Sequence, residues 1–171
     1  RTENQTRYYL LRPHTPKGAG TERRLIEPVP SSSACFGAAC LMLDPISYAN
    51  ELTSKMKHHG PDAGRVNTGW TGGPYGTGTR IDLPATRVII NSILDDSIKE
   101  NDFVNLPVFN LSIPEKVRGV RSSLLDPSQV WESRLKWHLA ATDLAFKFIN
   151  NFSKFSSNEE TAKLAEFGPK I

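Results

Sequence analysis

Residues 67–81 read NTGWTGGPYGTGTRI, with five glycines, one proline, and Arg80 and Ile81 at the end. Glycine adopts positive φ angles and lets the backbone approach another group closely, so a run this dense marks either a binding loop or an unconstrained surface turn. A short candidate strand precedes the run, and LPATRVIINSIL (83–94) predicts a helix after it. Strand, glycine loop and helix in this order can place backbone N–H groups against an anion. The phosphate-binding sequence GxxxxGK[ST] is absent from the run.

The composition limits the classes of protein to which the chain can belong. Its 171 residues, 38% hydrophobic and 23% charged, suffice for one domain with a buried core, which excludes a disordered chain. The longest apolar run without a charge, residues 34–43, is about half of what a bilayer crossing needs. We therefore expect a buried core segment there, as a strand or a tight helix, and no membrane span. Two cysteines without a CxxC motif favour reduced thiols and an intracellular compartment.

The net charge of +3 is concentrated at the N-terminus. Residues 1–30 carry six Lys or Arg against three acids, whereas the remaining residues carry fifteen of each sign. Such a segment can bind RNA, a polyphosphate or an acidic protein, or can be a solvated arm. The first residue is Arg, and an Arg-rich start with few acids is typical of a processed organellar precursor and equally of a trimmed fragment. We therefore expect an intracellular protein that is either cytoplasmic or organellar, for example in the mitochondrial matrix.

The first third of the chain predicts two helices separated by a long loop. TENQTRYYLL (2–11) suits a helix capped by Thr2, and residues 12–33, rich in Pro, Ser and Gly, predict a lid-like loop. Residues 44–60 predict a helix with Asp44 as N-cap, Gly60 as C-cap, and an apolar face of Ile46, Tyr48, Leu52 and Met56. We expect two regions, a basic helix with its lid-like loop at 1–33 and the main domain at 34–171.

The later part of the chain predicts two edge strands and two helices. Residues 101–114 alternate like one or two edge strands interrupted by a proline. A long amphipathic helix is expected at about 128–153, followed by a short one at 158–166. The predicted core residues of the long helix are Trp131, Leu135, Leu139, Phe146, Ile149 and Phe152.

Catalytic machinery is not evident in the sequence. The four histidines, His14, His58, His59 and His138, lack the spacing of a metal site. The adjacent pair is better explained by the dipole at the end of its helix. No carboxylate pair is placed for acid–base chemistry, so we expect no catalytic residue and no metal ligand.

Six blocks of sequence, in order, resemble one enzyme family. They are AGTERRLIEPVPSSSACFGAACLMLDPISYANEL, NTGWTGGPYGTGTRIDLPATRVIINSIL, LPVFNLSIP, GVRSSLLDPSQVW, FINNF and the terminal GPKI. From about Thr2 to Ile171 the chain resembles the carboxy-terminal portion of ATP-dependent phosphoenolpyruvate carboxykinase. The resemblance implies a mixed α/β fold, the carboxy-terminal part of a mononucleotide-binding domain, incomplete on its own.

The resemblance also implies roles for particular residues. The family uses ATP, Mg²⁺ and Mn²⁺ to convert oxaloacetate into phosphoenolpyruvate and carbon dioxide. By resemblance, Arg80 and Ile81 match its nucleotide contacts, and Thr86 matches a threonine that helps to hold the adenosine. Gly20, Thr21 and Glu22 match the lid that closes over the substrates. The family's P-loop, metal ligands and oxaloacetate-binding arginines lie upstream of this region and are not in the chain, so we expect it to be inactive alone and to need a protein partner.

The chain departs from the family pattern near the lid and the nucleotide at residues 12–15 (RPHT, where the family usually has S-G-[YF]-T) and at Arg24, Arg65 and Thr79. The strand before NTGW is usually apolar, so a buried, unpaired Arg65 would be costly there. Three interpretations follow: the carboxy-terminal piece of an active carboxykinase, an inactive remnant serving as a structural or accessory subunit, or a basic nucleotide- or RNA-binding module. The departures favour a glycine loop that is empty or covered by a neighbouring chain.

Overall fold

The computed structural model describes residues 2–11, 14–17, 29–32, 34–36, 40–155 and 159–171. The chain divides into two compact units, Arg1–Gly64 with Leu144–Ile171 and Arg65–Asp143. The predicted lid residues Gly20, Thr21 and Glu22 lie outside the described residues. The predicted boundary at residue 33 also falls on a residue outside them and stays a prediction. Much of the basic N-terminal segment is outside too, so RNA binding likewise stays a prediction.

More of the described residues lie in helices than in strands. The α-helices are α1 (Glu3–Leu11), α2 (Pro45–His59), α3 (Leu83–Leu94), α4 (Ser122–Leu125), α5 (Arg134–Phe152) and α6 (Glu159–Leu164). The strands are β1 (His14–Lys17), β2 (Val29–Ser32), β3 (Trp70–Thr71), β4 (Thr79–Arg80), β5 (Phe103–Leu106) and β6 (Leu111–Pro114). Short 3₁₀ helices occupy Ala34–Phe36, Ser97–Glu100, Pro127–Gln129, Ser153–Phe155 and Ala165–Phe167. None of the described helices is both long and apolar enough to cross a membrane.

The caps of the predicted helices are confirmed. The N–H of Gln5 donates to the hydroxyl of Thr2 at 3.3 Å, before α1. The Asp44 carboxylate accepts from the N–H of Ile46 at 2.9 Å, and Gly60, at φ 70°, ends α2 by donating to the Met56 carbonyl. These contacts join residues close in the chain, which is why the sequence indicated them.

The strands form three antiparallel pairs in the described residues, β1–β2, β3–β4 and β5–β6. The β5–β6 pair confirms the two-strand alternative for residues 101–114. The β1–β2 pair, with His14 opposite Ser32, shows that the loop predicted at 12–33 is wrong for these residues. Prolines at both strands obscured this pairing, since proline lacks an N–H donor. The mixed content of helix and strand agrees with the coarse α/β class, whereas the assignment to a mononucleotide-binding domain stays a prediction.

The first unit has an aromatic core. The rings of Tyr8 and Phe152 stack with centroids 4.4 Å apart, and Tyr9 contacts both Tyr8 and Phe148 edge-on. Burial and the neighbouring Tyr9 raise the pKa of the Tyr8 phenol. Gly168 lies against the same ring, and a Cβ there would lie 2.3 Å from Tyr8 Cζ. The carboxy-terminal residues are therefore an integral part of this core.

Charged groups join three helices of the same unit. The Arg7 guanidinium on α1 hydrogen-bonds Asn50 on α2 and forms an ion pair with Glu160 on α6. The amide of Asn50 also donates to Glu160 at 3.3 Å. The Arg7 side chain is only 13% exposed, so this pair contributes more than a fully exposed one would.

The long helix was predicted with the wrong start and largely the wrong face. It begins at Arg134, and its buried residues are Trp137, Ala141, Ala145, Phe148 and Phe152. Of the predicted core, Leu135, Leu139, Phe146 and Ile149 are exposed, by 67%, 61%, 52% and 38%. Both sets recur at helical spacing, so periodicity alone cannot decide which one faces inward. Phe152 was predicted correctly, and Trp131 is partly buried just before the helix.

Two further core predictions were wrong in part. Ala34 is buried, but Met42 and Leu43 are 93% and 64% exposed. Their N–H groups donate to the Tyr48 hydroxyl, which holds this backbone at the surface ahead of α2. On α2 itself Leu52 is 38% exposed, and the small residues Ala49 and Thr53 are buried instead. Small side chains here let α1 and α2 pack closely.

Candidate functional site

The glycine-rich run forms a β-hairpin in the second unit. Trp70 on β3 lies opposite Arg80 on β4, and the N–H of Ile81 donates to the Gly69 carbonyl at 3.1 Å. At the tip, the N–H groups of Thr77 and Gly78 both donate to the Pro74 carbonyl, at 3.1 and 2.8 Å. The run is therefore an ordered turn, and the interpretation as an unconstrained surface loop is wrong.

The hairpin's own backbone requires several of these glycines. Gly72 and Gly76 have φ angles of 78° and 86°, which other residues rarely adopt. A Cβ on Gly78 would lie 2.3 Å from the Gly73 carbonyl oxygen and 2.7 Å from that of Thr71. The glycines thus allow the two arms to approach one another, and this accounts for their density without a ligand.

The ordered hairpin presents aromatic and cationic side chains to solvent. Trp70 and Tyr75 are 41% and 44% exposed, with their rings edge-to-face at 5.3 Å. Because residues directly opposite in an antiparallel pair project to the same face, Arg80 shares a face with Trp70. Arg80 is exposed and forms no ion pair with the described residues. Neither Trp70 nor Tyr75 was among the residues predicted to contact the nucleotide, although two aromatic residues within a glycine-rich run were visible in the sequence.

Helix α3 follows the hairpin directly and carries Thr86 on its first turn. The Asp82 carboxylate caps α3 by accepting from the N–H of Ala85 at 2.7 Å. The Thr86 hydroxyl donates to the Asp82 carbonyl at 2.9 Å, so its proton is used within the helix while its oxygen can still accept. Arg80, partly buried Ile81 and Thr86 therefore lie on one continuous hairpin–helix segment. Their role in binding nucleotide stays a prediction.

The segment suits a nucleoside better than a phosphate. The start of α3 was expected to receive an anion, but the Asp82 carboxylate already occupies that position. A phosphate placed there would meet like charge. The exposed rings and Arg80 suit a flat base, which stacks on aromatic faces and accepts hydrogen bonds from a guanidinium.

The described part of the chain contains no set of side chains suited to bind a divalent metal ion. No group of three His, Cys, Asp or Glu side chains converges there. His58 and His59 pack edge-on in the last turn of α2, where histidines complement the helix dipole. We therefore derive no step through Mg²⁺ or Mn²⁺ on these residues.

The structure corrects the expectation about Arg65. Residues 60–68 form no strand, and Arg65 is exposed. The strand predicted at 63–66 is therefore wrong, because the first arm of the hairpin begins only at Trp70. The expected cost of a buried arginine does not arise, and this was the strongest argument for a decayed nucleotide site. Thr79 is exposed on β4, and Arg24 lies outside the described residues.

Comparison with known families decides the relationship. The family model of phosphoenolpyruvate carboxykinase, in its ATP-dependent form, matches residues 1–123. The chain belongs to the ATP-dependent phosphoenolpyruvate carboxykinase family. The resemblance inferred from the sequence is confirmed, and the hairpin and α3 both lie within the match. Residues 124–131 of the GVRSSLLDPSQVW block and the FINNF and GPKI blocks lie beyond residue 123, so that part of the resemblance stays a prediction. Membership of this family supports a carboxykinase-related function.

Proposed function

We propose that this chain supplies the adenine-side contacts of an ATP-dependent phosphoenolpyruvate carboxykinase. In that reaction oxaloacetate and ATP give phosphoenolpyruvate, ADP and carbon dioxide. The observation that carries the proposal is the exposed guanidinium of Arg80, held on an ordered hairpin beside Trp70 and directly before Ile81. Ile81 packs on the base, Arg80 hydrogen-bonds the base or ribose, and Thr86 accepts a hydrogen bond from the nucleoside.

The hairpin prepares these contacts before the nucleotide arrives. Its cross-strand pairing and the two hydrogen bonds at Pro74 fix the backbone that carries Arg80. A group held in place by its own scaffold loses less conformational entropy when a ligand binds. We therefore expect Arg80 to contribute to affinity although it is exposed in the free protein.

Phosphate and metal binding have to come from another segment or another chain. The 171 residues contain no GxxxxGK[ST] sequence, and Asp82 disfavours a phosphate at α3. Phosphoryl transfer needs cationic groups around the transferred phosphate, so this chain by itself is proposed to be inactive. In the assembled enzyme Gly20, Thr21 and Glu22 would contribute to a lid that excludes water.

Calorimetric titration of the chain with adenosine and with ATP tests the proposal. We expect adenosine to bind saturably and Arg80→Ala to weaken binding by about 1–3 kcal/mol, the usual size for the loss of a hydrogen bond to a charged group. Arg118→Ala, which removes an exposed arginine elsewhere in the unit, should leave the affinity unchanged. If neither ligand binds, or if both substitutions weaken binding equally, the proposal is wrong.

The second candidate function is that of a structural subunit without nucleotide. It is favoured by exposed leucines on α3, where Leu83 and Leu94 are 69% and 78% exposed. Large apolar side chains exposed on a helix are typical of surfaces that a partner covers. Sedimentation of the native complex, together with absent adenosine binding, would support this function over the first. A monodisperse monomer that unfolds cooperatively would contradict it.

A further inference from the structure

A cleft of about 850 Å³ opens in the second unit between the β5–β6 hairpin, residues 122–129 and the first turns of α5. Sites for small organic ligands typically have volumes of about 300–1,000 Å³. The cleft contains none of the residues assigned to the nucleotide, so the inference drawn from it is independent of the proposed function.

Apolar side chains form part of the wall of the cleft. Val104 and Ile113 face one another across the β5–β6 pair and therefore project to the same face of the hairpin. Leu135, 67% exposed, lines the opposite side from α5. Trp137 also lines the cleft and belongs to a buried cluster with Leu106 and Ala141. The cleft thus borders a hydrophobic core and can receive an apolar body.

Cations are available among the lining residues. Lys116 and Arg134 both line the cleft, and Lys116 forms no ion pair with any residue that the structure describes. The carboxylate of Asp126 is already engaged, because it accepts from the N–H and hydroxyl of Ser128 at 2.9 and 2.7 Å and from the Gln129 amide at 2.9 Å. Glu115 also lines the cleft, and no hydrogen bond or ion pair engages its side chain in the described structure. The two cations, Lys116 and Arg134, equal the two carboxylates of the lining in number. Because hydrogen bonds already satisfy the Asp126 carboxylate, an anionic head would pair with Lys116 and Arg134.

The backbone beside the cleft is strained. The N–H of Phe109 donates to the Pro107 carbonyl at 2.8 Å, and Val108 between them has a φ of 69°. This is the rare γ-turn with positive φ, which is costly for a β-branched residue. Val108 and Phe109 pack against the cluster of Trp137, and Pro107 lines the cleft. Strained residues concentrate at ligand-binding sites, where the surrounding packing maintains them.

We propose that this cleft binds an amphipathic organic anion. The apolar body lies against Val104, Ile113 and Leu135, and the carboxylate or sulfonate head pairs with Lys116 and Arg134. The proposal rests on four features that occur together: the volume of the cleft, its apolar side chains, its two cations and the strained turn beside it.

The test uses 8-anilinonaphthalene-1-sulfonate as a fluorescent probe and decanoate as a competitor, with the full chain. We expect saturable binding that decanoate displaces and decanol displaces poorly. The double variant Lys116→Gln/Arg134→Gln should weaken binding about tenfold or more, as expected for losing two charged contacts. The matched control Arg87→Gln/Arg118→Gln removes the same charge outside the cleft and should have no effect.

A variant that fills the cleft tests whether the probe binds there or elsewhere on the surface. Val104→Trp places a bulky ring in the cleft, and we expect it to abolish saturable binding of the probe while circular dichroism remains that of the folded chain. Both charge variants alter exposed side chains and should fold normally. Equal affinities of the two double variants, unchanged binding in Val104→Trp, or decanol competing as well as decanoate would each overturn the proposal.

Discussion

The two units use the same residue types in opposite ways. In the first unit, Gly168 lies against the buried ring of Tyr8, which stacks on Phe152. In the second unit, glycines shape a hairpin that leaves Trp70 and Tyr75 about two-fifths exposed. Aromatic burial contributes to the stability of the fold, whereas exposed aromatics on an ordered turn remain available for a ligand.

Substitutions in the first unit should affect mainly stability, whereas substitutions in the hairpin should affect mainly ligand binding. The first unit joins α1, α5 and the carboxy-terminal residues through contacts between distant parts of the chain. The hairpin is fixed by hydrogen bonds between neighbours in sequence, such as those to the Pro74 carbonyl. We therefore expect core substitutions in the first unit to destabilise the protein most.

The largest expected effect is that of Phe152→Ala. Phe152 is 2% exposed and stacks on Tyr8, so its truncation should lower the free energy of unfolding by about 3–5 kcal/mol. Phe146→Ala, on the same helix but 52% exposed, is the matched control and should cost less than about 1 kcal/mol. Urea denaturation measures both. If both substitutions lower the free energy of unfolding equally, the face of α5 that carries Phe146 is buried in solution. The distinction between buried and exposed aromatic residues would then be wrong.

A smaller effect is expected from Gly78→Ala in the hairpin. The added Cβ would collide with the Gly73 and Thr71 carbonyl oxygens, and overpacking of this kind costs about 1–3 kcal/mol. Adenosine binding should be lost with it, because the arm that carries Arg80 has to move. Gly64→Ala is the control, since its Cβ would meet no atom within 4 Å. Denaturation and calorimetry on both variants check this; a tolerated Gly78→Ala would mean that these glycines serve the ligand rather than the backbone.

What the sequence could predict was local. The caps at Asp44 and Gly60 join residues within one helical turn, and their residue types suffice to indicate them. The glycine run was predicted as a loop between a strand and a helix, so its pairing as a hairpin was not predicted. Its exposed rings were not recognised either, because exposure depends on what else packs nearby. The prediction of the inward face of α5 was wrong for the same reason. Leu139 and Ala141 lie on two different faces of the helix, both with apolar residues at helical spacing, and only the residues packed against the helix decide which face is buried. The cleft depends on β5–β6 meeting α5, a contact between distant segments.

Substitutions at Asp82 test whether the start of α3 disfavours the phosphates of a nucleotide. Asp82→Ala removes the cap of α3 and should lower the free energy of unfolding by about 1 kcal/mol. Asp82→Asn keeps an acceptor and should cost less, while removing the charge at the helix N-terminus. If that charge disfavours phosphate, Asp82→Asn should raise affinity for ATP but not for adenosine in calorimetric titration. A parallel rise for both ligands would contradict the assignment of Asp82 as the group that excludes the phosphate.

The smallest expected effect is the pH response of Asp126, beside the cleft. Burial of its carboxylate acts to raise the pKa, but hydrogen bonds from Ser128 and Gln129, with the charge of Arg134, outweigh it and hold the pKa below its ordinary value. A pKa lowered on folding adds stability above the unfolded value of about 3.9, and this stability is lost as the pH falls through the folded value. Ser128→Ala should therefore raise the pKa of Asp126 and reduce this acid-sensitive part of the stability.

Carboxyl-carbon NMR titration measures that shift directly. Asp95, whose pKa is lowered by hydrogen bonds from Ser97, is the internal reference and should not respond to Ser128→Ala. If the pKa of Asp126 does not move, the charge of Arg134 rather than the hydrogen bonds stabilises the carboxylate. Arg134 would then be committed to Asp126 and less available to an anionic ligand. A clear rise in the pKa would show that the hydrogen bond from the Ser128 hydroxyl contributes to stabilising the charged carboxylate.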